Sequence, residues 1–173
     1  MLEKIIYNIL RKKQAIPYGE LVASASEAEL LKGAGEAIHS IFGRSVRIRQ
    51  VDAGSCNACE WECTALTSPI YDVQRFGIDF VASPRHADIL LVTGPVSVSM
   101  AEALKKTYIA IPEPRLVIAC GDCAKDGGVY KGSYAVTDGV DKVVAVDGYI
   151  RGCPPTPADL IRGIVEVIES RVR

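Results

Sequence analysis

Residues 46–59, VRIRQVDAGSCNAC, join a predicted β-strand directly to a Cys-x-x-Cys motif. The valines and the isoleucine of residues 46–53 favour a strand, and the glycine and serine that follow favour a turn. Cys56 and Cys59 come immediately after that turn. Disulfides, zinc sites, redox-active dithiols and iron–sulfur clusters all begin with such a motif. The remaining cysteines and the fold must therefore distinguish these possibilities.

Two further cysteines follow predicted strands in the same way. Cys123 follows the apolar strand 115–121, in the segment CGDCAKDGG, and Cys153 follows the predicted strand 142–150, in the segment RGCPP. The carboxyl ends of parallel strands lie at one edge of a sheet, where open α/β folds place their sites. We therefore expect the four cysteines to converge at that edge.

The rest of the chain alternates short apolar strands with amphipathic helices. This alternation predicts a mostly parallel, twisted sheet with helices on both faces, an α/β fold. The further predicted strands cover residues 78–83 and 87–94, and the predicted helices cover residues 2–13, 27–42, 60–68, 99–109 and 157–171.

Length, composition and charge exclude several classes of protein. The 173 residues are enough for one domain with a single sizeable core. A net charge of −1 and an aromatic content of 6% argue against a nucleic-acid partner. The sequence has no apolar run long enough to span a bilayer and no signal-peptide pattern at its N-terminus. We therefore expect an intracellular protein whose six cysteines serve metal binding or catalysis rather than structural disulfides.

The spacing of the cysteines favours a [4Fe–4S] cluster, with zinc and a dithiol enzyme as alternatives. Structural zinc sites usually consist of two short ligand pairs, whereas this chain has one pair and two widely separated single cysteines. Cys153 precedes Pro154, and Cys-Pro ends many bacterial cluster-binding motifs. A dithiol enzyme leaves Cys123 and Cys153 unexplained. Cys63 and Cys120 are interpreted as small buried hydrophobic residues rather than ligands.

Four longer segments carry a family resemblance. They are GSCNACEWE, SPRHADILLVTGPV, ACGDCAKDGGVYKGSYAV and VDGYIRGCPPTPADLIRGI. Together they resemble the 20-kDa subunit of NADH:quinone oxidoreductase (complex I) and the small subunits of energy-converting, membrane-bound [NiFe] hydrogenases. The resemblance covers about residues 46–169, so we predict an N-terminal helical extension over residues 1–45 and a [4Fe–4S]-binding α/β domain over residues 46–173.

The first motif is similar to that of the hydrogenase branch of this family. Quinone-reducing members typically have two adjacent cysteines there, whereas this chain has Cys-x-x-Cys. The pattern resembles the small subunits of formate hydrogenlyase and of Ech-type, CO-linked and archaeal membrane-bound hydrogenases. Two positions depart from the family: Cys120 replaces an aliphatic residue, and Ala58 stands where hydrogenase relatives often have glycine.

The resemblance implies a flavodoxin-like fold that holds one [4Fe–4S] cluster on Cys56, Cys59, Cys123 and Cys153. In the family this cluster is the last of an electron-transfer chain and lies against the large catalytic subunit. The resemblance therefore implies an oxidoreductase subunit without a bond-making site of its own. Its implied partners are a large [NiFe]-hydrogenase-like subunit, a ferredoxin-like multi-cluster subunit and membrane subunits. Its implied location is peripheral, on the cytoplasmic side of the cell membrane.

Two charged residues are candidates for a role beside the cluster. Glu62 lies three residues after Cys59, so one helical turn returns its carboxylate towards the cluster side. In relatives an acid at this position lies at the boundary with the active-site subunit, which implies a proton relay. Arg85, in the segment SPRHAD, is the matching cation for the interface or the cluster environment. The alternatives are a solvated carboxylate for Glu62 and a loop salt bridge for Arg85.

Two other functions remain open at the level of the sequence. The first is the equivalent cluster subunit of a complex I-like oxidoreductase that reduces quinone or a sulfur compound. The second, of a different class, is a stand-alone zinc-binding or thiol redox module.

Overall fold

The computed structural model describes residues 25–172, so the predicted helix over residues 2–13 lies outside the described residues. Five parallel strands form one sheet. They are β1 (Val46–Asp52), β2 (Ile78–Phe80), β3 (Ile89–Thr93), β4 (Leu116–Cys120) and β5 (Gly148–Ile150). Their order across the sheet is β2-β1-β3-β4-β5, the order of flavodoxin-like folds. The predicted parallel α/β fold is confirmed.

Five α-helices surround this sheet in the described part of the chain. They are α1 (Ala25–Phe42), α2 (Ala58–Leu66), α3 (Val98–Ala110), α4 (Asp122–Asp126) and α5 (Pro157–Val172). Except for the strand before Cys153, the predicted helices and strands within residues 25–172 are confirmed, with ends that differ by at most three residues. None of these helices is long and apolar enough to cross a membrane.

Each face of the sheet is covered by its own apolar layer. Helices α1, α2 and α5 cover one face, where Ile118 and Cys120 of β4 are buried. Helices α3 and α4 cover the other face, where Val117 and Ala119 are buried. All residues of β3 and β4 are buried, as expected for parallel strands covered on both sides. Two central strands in a packed core therefore provide a rigid base for the loops that leave their ends.

The strand before Cys153 is shorter than predicted. The sequence predicts a strand over residues 142–150, but the ladder begins only at Gly148. A 3₁₀ turn begins at Val140, whose carbonyl accepts the backbone N–H groups of Val143 and Val144 at 2.9 and 3.0 Å. Val140 and Val144 are buried beneath this turn in the second core layer. A turn thus buries these apolar side chains as fully as the predicted strand would, and the sheet is not extended.

Helix α1 is packed against α5 and contributes Leu31, Ala34 and Ile38 to the core. It is joined to the start of β3 by Arg44, which donates two hydrogen bonds to the Asp88 carboxylate at 2.9 and 2.7 Å. Burial raises the pKa of Asp88, but these bonds outweigh it and hold the pKa below its ordinary value. The predicted division of the chain after residue 45 stays a prediction.

Candidate metal centre

The loops at the carboxyl edge of the sheet bring four cysteines together. Cys56 lies in the loop after β1, Cys59 in the first turn of α2, Cys123 in the first turn of α4, and Cys153 in the loop after β5. Burial is the main cause that raises the pKa of the Cys123 thiol, and the neighbouring thiols of the other three cysteines raise it further. Each of the other three thiols is therefore within electrostatic reach of Cys123.

The four thiols differ in their exposure. Cys56 and Cys153 are exposed, Cys123 is half-buried and Cys59 is buried. One side of the group is thus embedded in the protein and the other is open. Within residues 25–172, no three Cys, His, Asp or Glu side chains are grouped closely enough to bind a single metal ion.

Two glycines leave room beside the two inner sulfurs. A Cβ atom on Gly121 would lie 2.8 Å from the Sγ of Cys59, and one on Gly128 would lie 2.9 Å from the Sγ of Cys123. Both glycines also have positive φ angles, 90° and 49°, which other residues rarely adopt. Four thiols with glycine backbone directly beside them form a donor set that fits a bulky, thiolate-bound group.

The first cysteine loop is held by a hydrogen-bond network that the sequence analysis did not identify. The Ser55 hydroxyl donates to one carboxylate oxygen of Glu60 at 2.5 Å, and the Thr93 hydroxyl donates to the other. Asp52 accepts the backbone N–H of Ser55 at 2.9 Å. Thr93 is fully buried at the end of β3. Glu60 therefore ties the loop that carries Cys56 to the rigid centre of the sheet.

The second and third cysteine loops are tied to each other. Arg151 donates a hydrogen bond to the Asp122 carboxylate at 2.5 Å, and the backbone N–H of Asp122 donates to the carbonyl of Gly152 at 2.9 Å. The Arg151 guanidinium is the main cause that lowers the pKa of Asp122, so the ion pair persists into mildly acidic solution. Because Asp122 precedes Cys123 and Gly152 precedes Cys153, these bonds join the two loops directly beside the two cysteines.

Cys63 and Cys120 are buried, as the sequence analysis expected, in the same apolar layer as Cys59. Hydrogen bonding with Cys120 lowers the pKa of Cys59. Hydrogen bonding with Cys59 and Cys63, together with burial, raises the pKa of Cys120. No sequence pattern indicates this contact, because it joins a strand end to a helix.

The two charged candidates are not tied to the cysteines by any hydrogen bond. Glu62 is half-buried on α2, between the exposed Trp61 and the buried Cys63. Arg85 is exposed in a 3₁₀ turn, Pro84–His86, that precedes β3. Considering residues 25–172 alone, neither side chain forms a hydrogen bond or an ion pair. Their predicted roles stay predictions.

Comparison with known families identifies the chain. The family model of the NADH ubiquinone oxidoreductase 20 kDa subunit matches residues 56–167, a segment that contains all four converging cysteines. The chain belongs to this family. The resemblance inferred from the four sequence segments is confirmed, and membership in the 20 kDa subunit family makes the chain a subunit of an oxidoreductase.

Individual members of the 20 kDa subunit family are similar over most of this chain. Formate hydrogenlyase subunit 7 of Escherichia coli is 48% identical over 120 residues, which are 69% of this chain and 47% of that protein. A probable membrane-bound hydrogenase subunit of Pyrococcus furiosus is 41% identical over 145 residues, 84% of this chain and 87% of that protein. This chain therefore spans about half the length of the first relative and most of the second.

A solved structure is similar to this chain in three dimensions. A chain of the membrane-bound sulfane sulfur reductase, an archaeal respiratory membrane complex, is 34% identical and superposes with a TM-score of 0.64. The match covers 79% of this chain and 75% of the other. The relatives are thus a subunit of formate hydrogenlyase, a probable subunit of a membrane-bound hydrogenase and a chain of an archaeal respiratory membrane complex.

Proposed function

We propose that this chain carries one [4Fe–4S] cluster on Cys56, Cys59, Cys123 and Cys153 and exchanges electrons with the large catalytic subunit of a membrane-bound [NiFe]-hydrogenase complex. The observation that carries the proposal is the convergence of the four thiols at the carboxyl edge of the sheet. When bound, such a cluster accepts and releases single electrons. The chain itself binds the cluster, excludes water from its inner side and docks to the catalytic partner.

The space beside the inner sulfurs supports a cluster rather than zinc. A zinc ion binds thiolates at about 2.3 Å, which draws all four sulfurs towards one point. A four-iron cluster is a larger body with one thiolate at each corner, so its ligands lie farther apart. The ligand loops here leave three different strands, and Gly121 and Gly128 keep Cβ atoms away from Cys59 and Cys123. These features suit the larger group.

The open side of the site supports a docking partner. Cys56 and Cys153 are exposed, and exposed apolar side chains occur in the same segments of the chain. Trp61 follows Cys59 with 67% exposure, and Val129 follows Cys123 with 79% exposure. A catalytic subunit that covers this side shields the cluster and buries these side chains. We place the chain, peripherally and on the cytoplasmic side, in a complex that also contains a ferredoxin-like multi-cluster subunit and membrane subunits.

A second candidate function is the same cluster subunit in a sulfur-reducing complex. It is favoured by the similarity to a chain of the sulfane sulfur reductase. The two hydrogenase relatives are more similar in sequence, at 48% and 41% identity against 34%, which favours hydrogenase as the first candidate. Assays of the purified complex for hydrogen evolution and for polysulfide reduction separate the two.

The chain purified anaerobically and separated from its partner subunits is expected to contain about four irons and to show a brown absorbance that fades on reduction. The reason is that the thiols of Cys56, Cys59 and Cys153 all lie within electrostatic reach of Cys123 at the sheet edge. Iron and zinc analysis, optical spectroscopy and EPR of the reduced protein test the expectation. A colourless protein with stoichiometric zinc would identify a zinc module instead.

Glu62→Gln is expected to lower the turnover of the assembled complex by about a hundredfold and to flatten its pH dependence, if the carboxylate relays protons. The amide keeps the shape of the half-buried side chain and removes its exchangeable proton. Turnover is measured between about pH 6 and about pH 9, on either side of typical relay pKa values. Glu102→Gln, an exposed acid-to-amide change on α3, is the control. An unaltered pH profile with a full cluster would remove Glu62 from the proton path.

A further inference from the structure

The Glu60 carboxylate joins two hydroxyl groups that lie in different parts of the fold. Glu60 is in the first turn of α2, directly after Cys59. The Ser55 hydroxyl, in the loop after β1, donates to one of its oxygens at 2.5 Å, and the Thr93 hydroxyl, at the end of β3, donates to the other. Ser55 is half-buried, whereas Thr93 is fully buried. The carboxylate therefore connects a surface loop to the packed core.

The residues on both sides of Cys56 are fixed by hydrogen bonds of the same network. The Ser55 hydroxyl accepts the backbone N–H of Asn57 at 2.9 Å, and the Asp52 carboxylate accepts the backbone N–H of Ser55 at 2.9 Å. A Cβ atom on Gly94 would lie 2.7 Å from the backbone nitrogen of Ser55, so the loop is packed directly against the end of β3. Cys56 itself is exposed and lies between these two fixed neighbours.

An exposed ligand depends on such support more than a buried ligand does. Apolar side chains of the core surround Cys59 and restrict its position, whereas the Cys56 side chain is open to solvent. A metal ligand keeps its place only when packing or hydrogen bonds of its neighbours restrict it. For Cys56, the hydrogen bonds of its loop must supply that restriction.

We propose that Glu60, by accepting hydrogen bonds from Ser55 and Thr93, is the positioning residue that keeps the Cys56 thiolate bound to iron. This inference rests on the proposed function. Glu60 acts on Cys56 through the loop and is not itself a ligand. It acts by its hydrogen bonds and not by its negative charge. An amide can exchange hydrogen bonds with two hydroxyl groups, so glutamine at this position is expected to preserve the effect.

The test is the rate at which iodoacetamide alkylates Cys56 in the full chain with its cluster, without oxygen and with a ferrous chelator present. A ligand cysteine reacts only after its thiolate has left the iron, and mass spectrometry identifies which cysteine has reacted. We expect Glu60→Ala to accelerate the reaction of Cys56 about tenfold, as for the loss of a hydrogen bond to a charged group. Cys153, the other exposed ligand, is the internal control, because its loop is tied to Asp122 instead. Its rate is expected to stay unchanged.

Three further variants separate positioning from charge and from general stability. Glu60→Gln is expected to react at nearly the rate of the unaltered chain, and Thr93→Val as fast as Glu60→Ala. Thr107→Val is the matched control, because it removes a hydroxyl group from α3 on the other face of the sheet. Equal rates for the alanine and glutamine variants, or equal acceleration at Cys56 and Cys153, would overturn the inference.

Ser55→Ala keeps the inference testable if the Glu60 and Thr93 variants do not fold, because it changes only a half-buried loop residue. Faster alkylation of Cys56 alone is the expected result, and an unchanged rate would contradict the role of Glu60. Two results in the unaltered chain would instead contradict the proposed function. They are the absence of iron, and rapid alkylation of Cys56 while all the iron is retained.

Discussion

Cys123→Ala is expected to abolish the four-iron cluster, so that the iron content of the purified complex falls by about four atoms per copy of this chain. The thiol of Cys123 lies within electrostatic reach of those of Cys56, Cys59 and Cys153, and in the proposed ligand set its removal leaves one corner of the cluster without a ligand. Backbone and solvent oxygen are poor substitutes for a thiolate on iron. Iron analysis and the EPR signal of the reduced complex measure the loss. Cys153→Ala is expected to behave in the same way.

The matched control for this substitution is Cys63→Ala. It removes the same atom from a cysteine that is buried on the core side of Cys59, so iron content is expected to stay nearly constant. Four irons per chain in Cys123→Ala would refute the proposed ligand set and point to Cys120, the neighbouring thiol, as a ligand. Loss of iron in both variants would indicate a general loss of folding, which circular dichroism detects.

Gly121→Ala is expected to remove most of the iron bound by this chain even though it changes no proposed ligand. Its Cβ would lie 2.8 Å from the Sγ of Cys59, so that sulfur must move away from the other three thiols. The φ angle of 90° adds backbone strain of about 1 to 3 kcal/mol. Iron content and the urea midpoint of unfolding are the measurements.

Gly132→Ala separates the effect of backbone strain from the effect of a Cβ atom close to the Cys59 sulfur. Its φ angle of 78° imposes comparable strain, but no atom lies within 4 Å of the added Cβ. It is therefore expected to lower the unfolding midpoint slightly and to keep the cluster. If Gly121→Ala retained its iron and matched Gly132→Ala in stability, the close approach of Gly121 to the Cys59 sulfur would have no part in binding the cluster.

The convergence of the cysteines could be predicted because it depends on topology alone. Strands β3 and β4 are short apolar segments, as expected of strands that are buried on both faces. The carboxyl ends of parallel strands lie at the same edge of the sheet. Alternation of apolar strands with helices was sufficient to predict the sheet, and the cysteines follow the strands directly. The length of the strand before Cys153 was overestimated, because a 3₁₀ turn buries Val140 and Val144 to the same extent that a strand would.

The contacts around the ligand loops could not be predicted in this way. The Glu60 carboxylate meets Thr93, a residue 33 positions away that approaches it only when β3 lies beside β1. Likewise, Cys120 was expected to be buried, and it is, but its bond to Cys59 depends on how α2 packs on the sheet. Periodicity indicates which face of an element is buried, and it does not indicate which side chains of two elements meet there.

The unequal exposure of the four thiols has a consequence for the biogenesis of the complex. Cys56 and Cys153 are exposed on the side that we assign to the catalytic partner, whereas Cys59 is buried beneath it. Iron and sulfide delivered by an assembly factor must enter from that same side, because the core closes the other. Iron and sulfide can therefore reach the cysteines only while the catalytic partner is not docked. On the proposed function, maturation of this subunit precedes its incorporation, and a cell short of iron is expected to accumulate the subunit unassembled rather than complexes without the cluster.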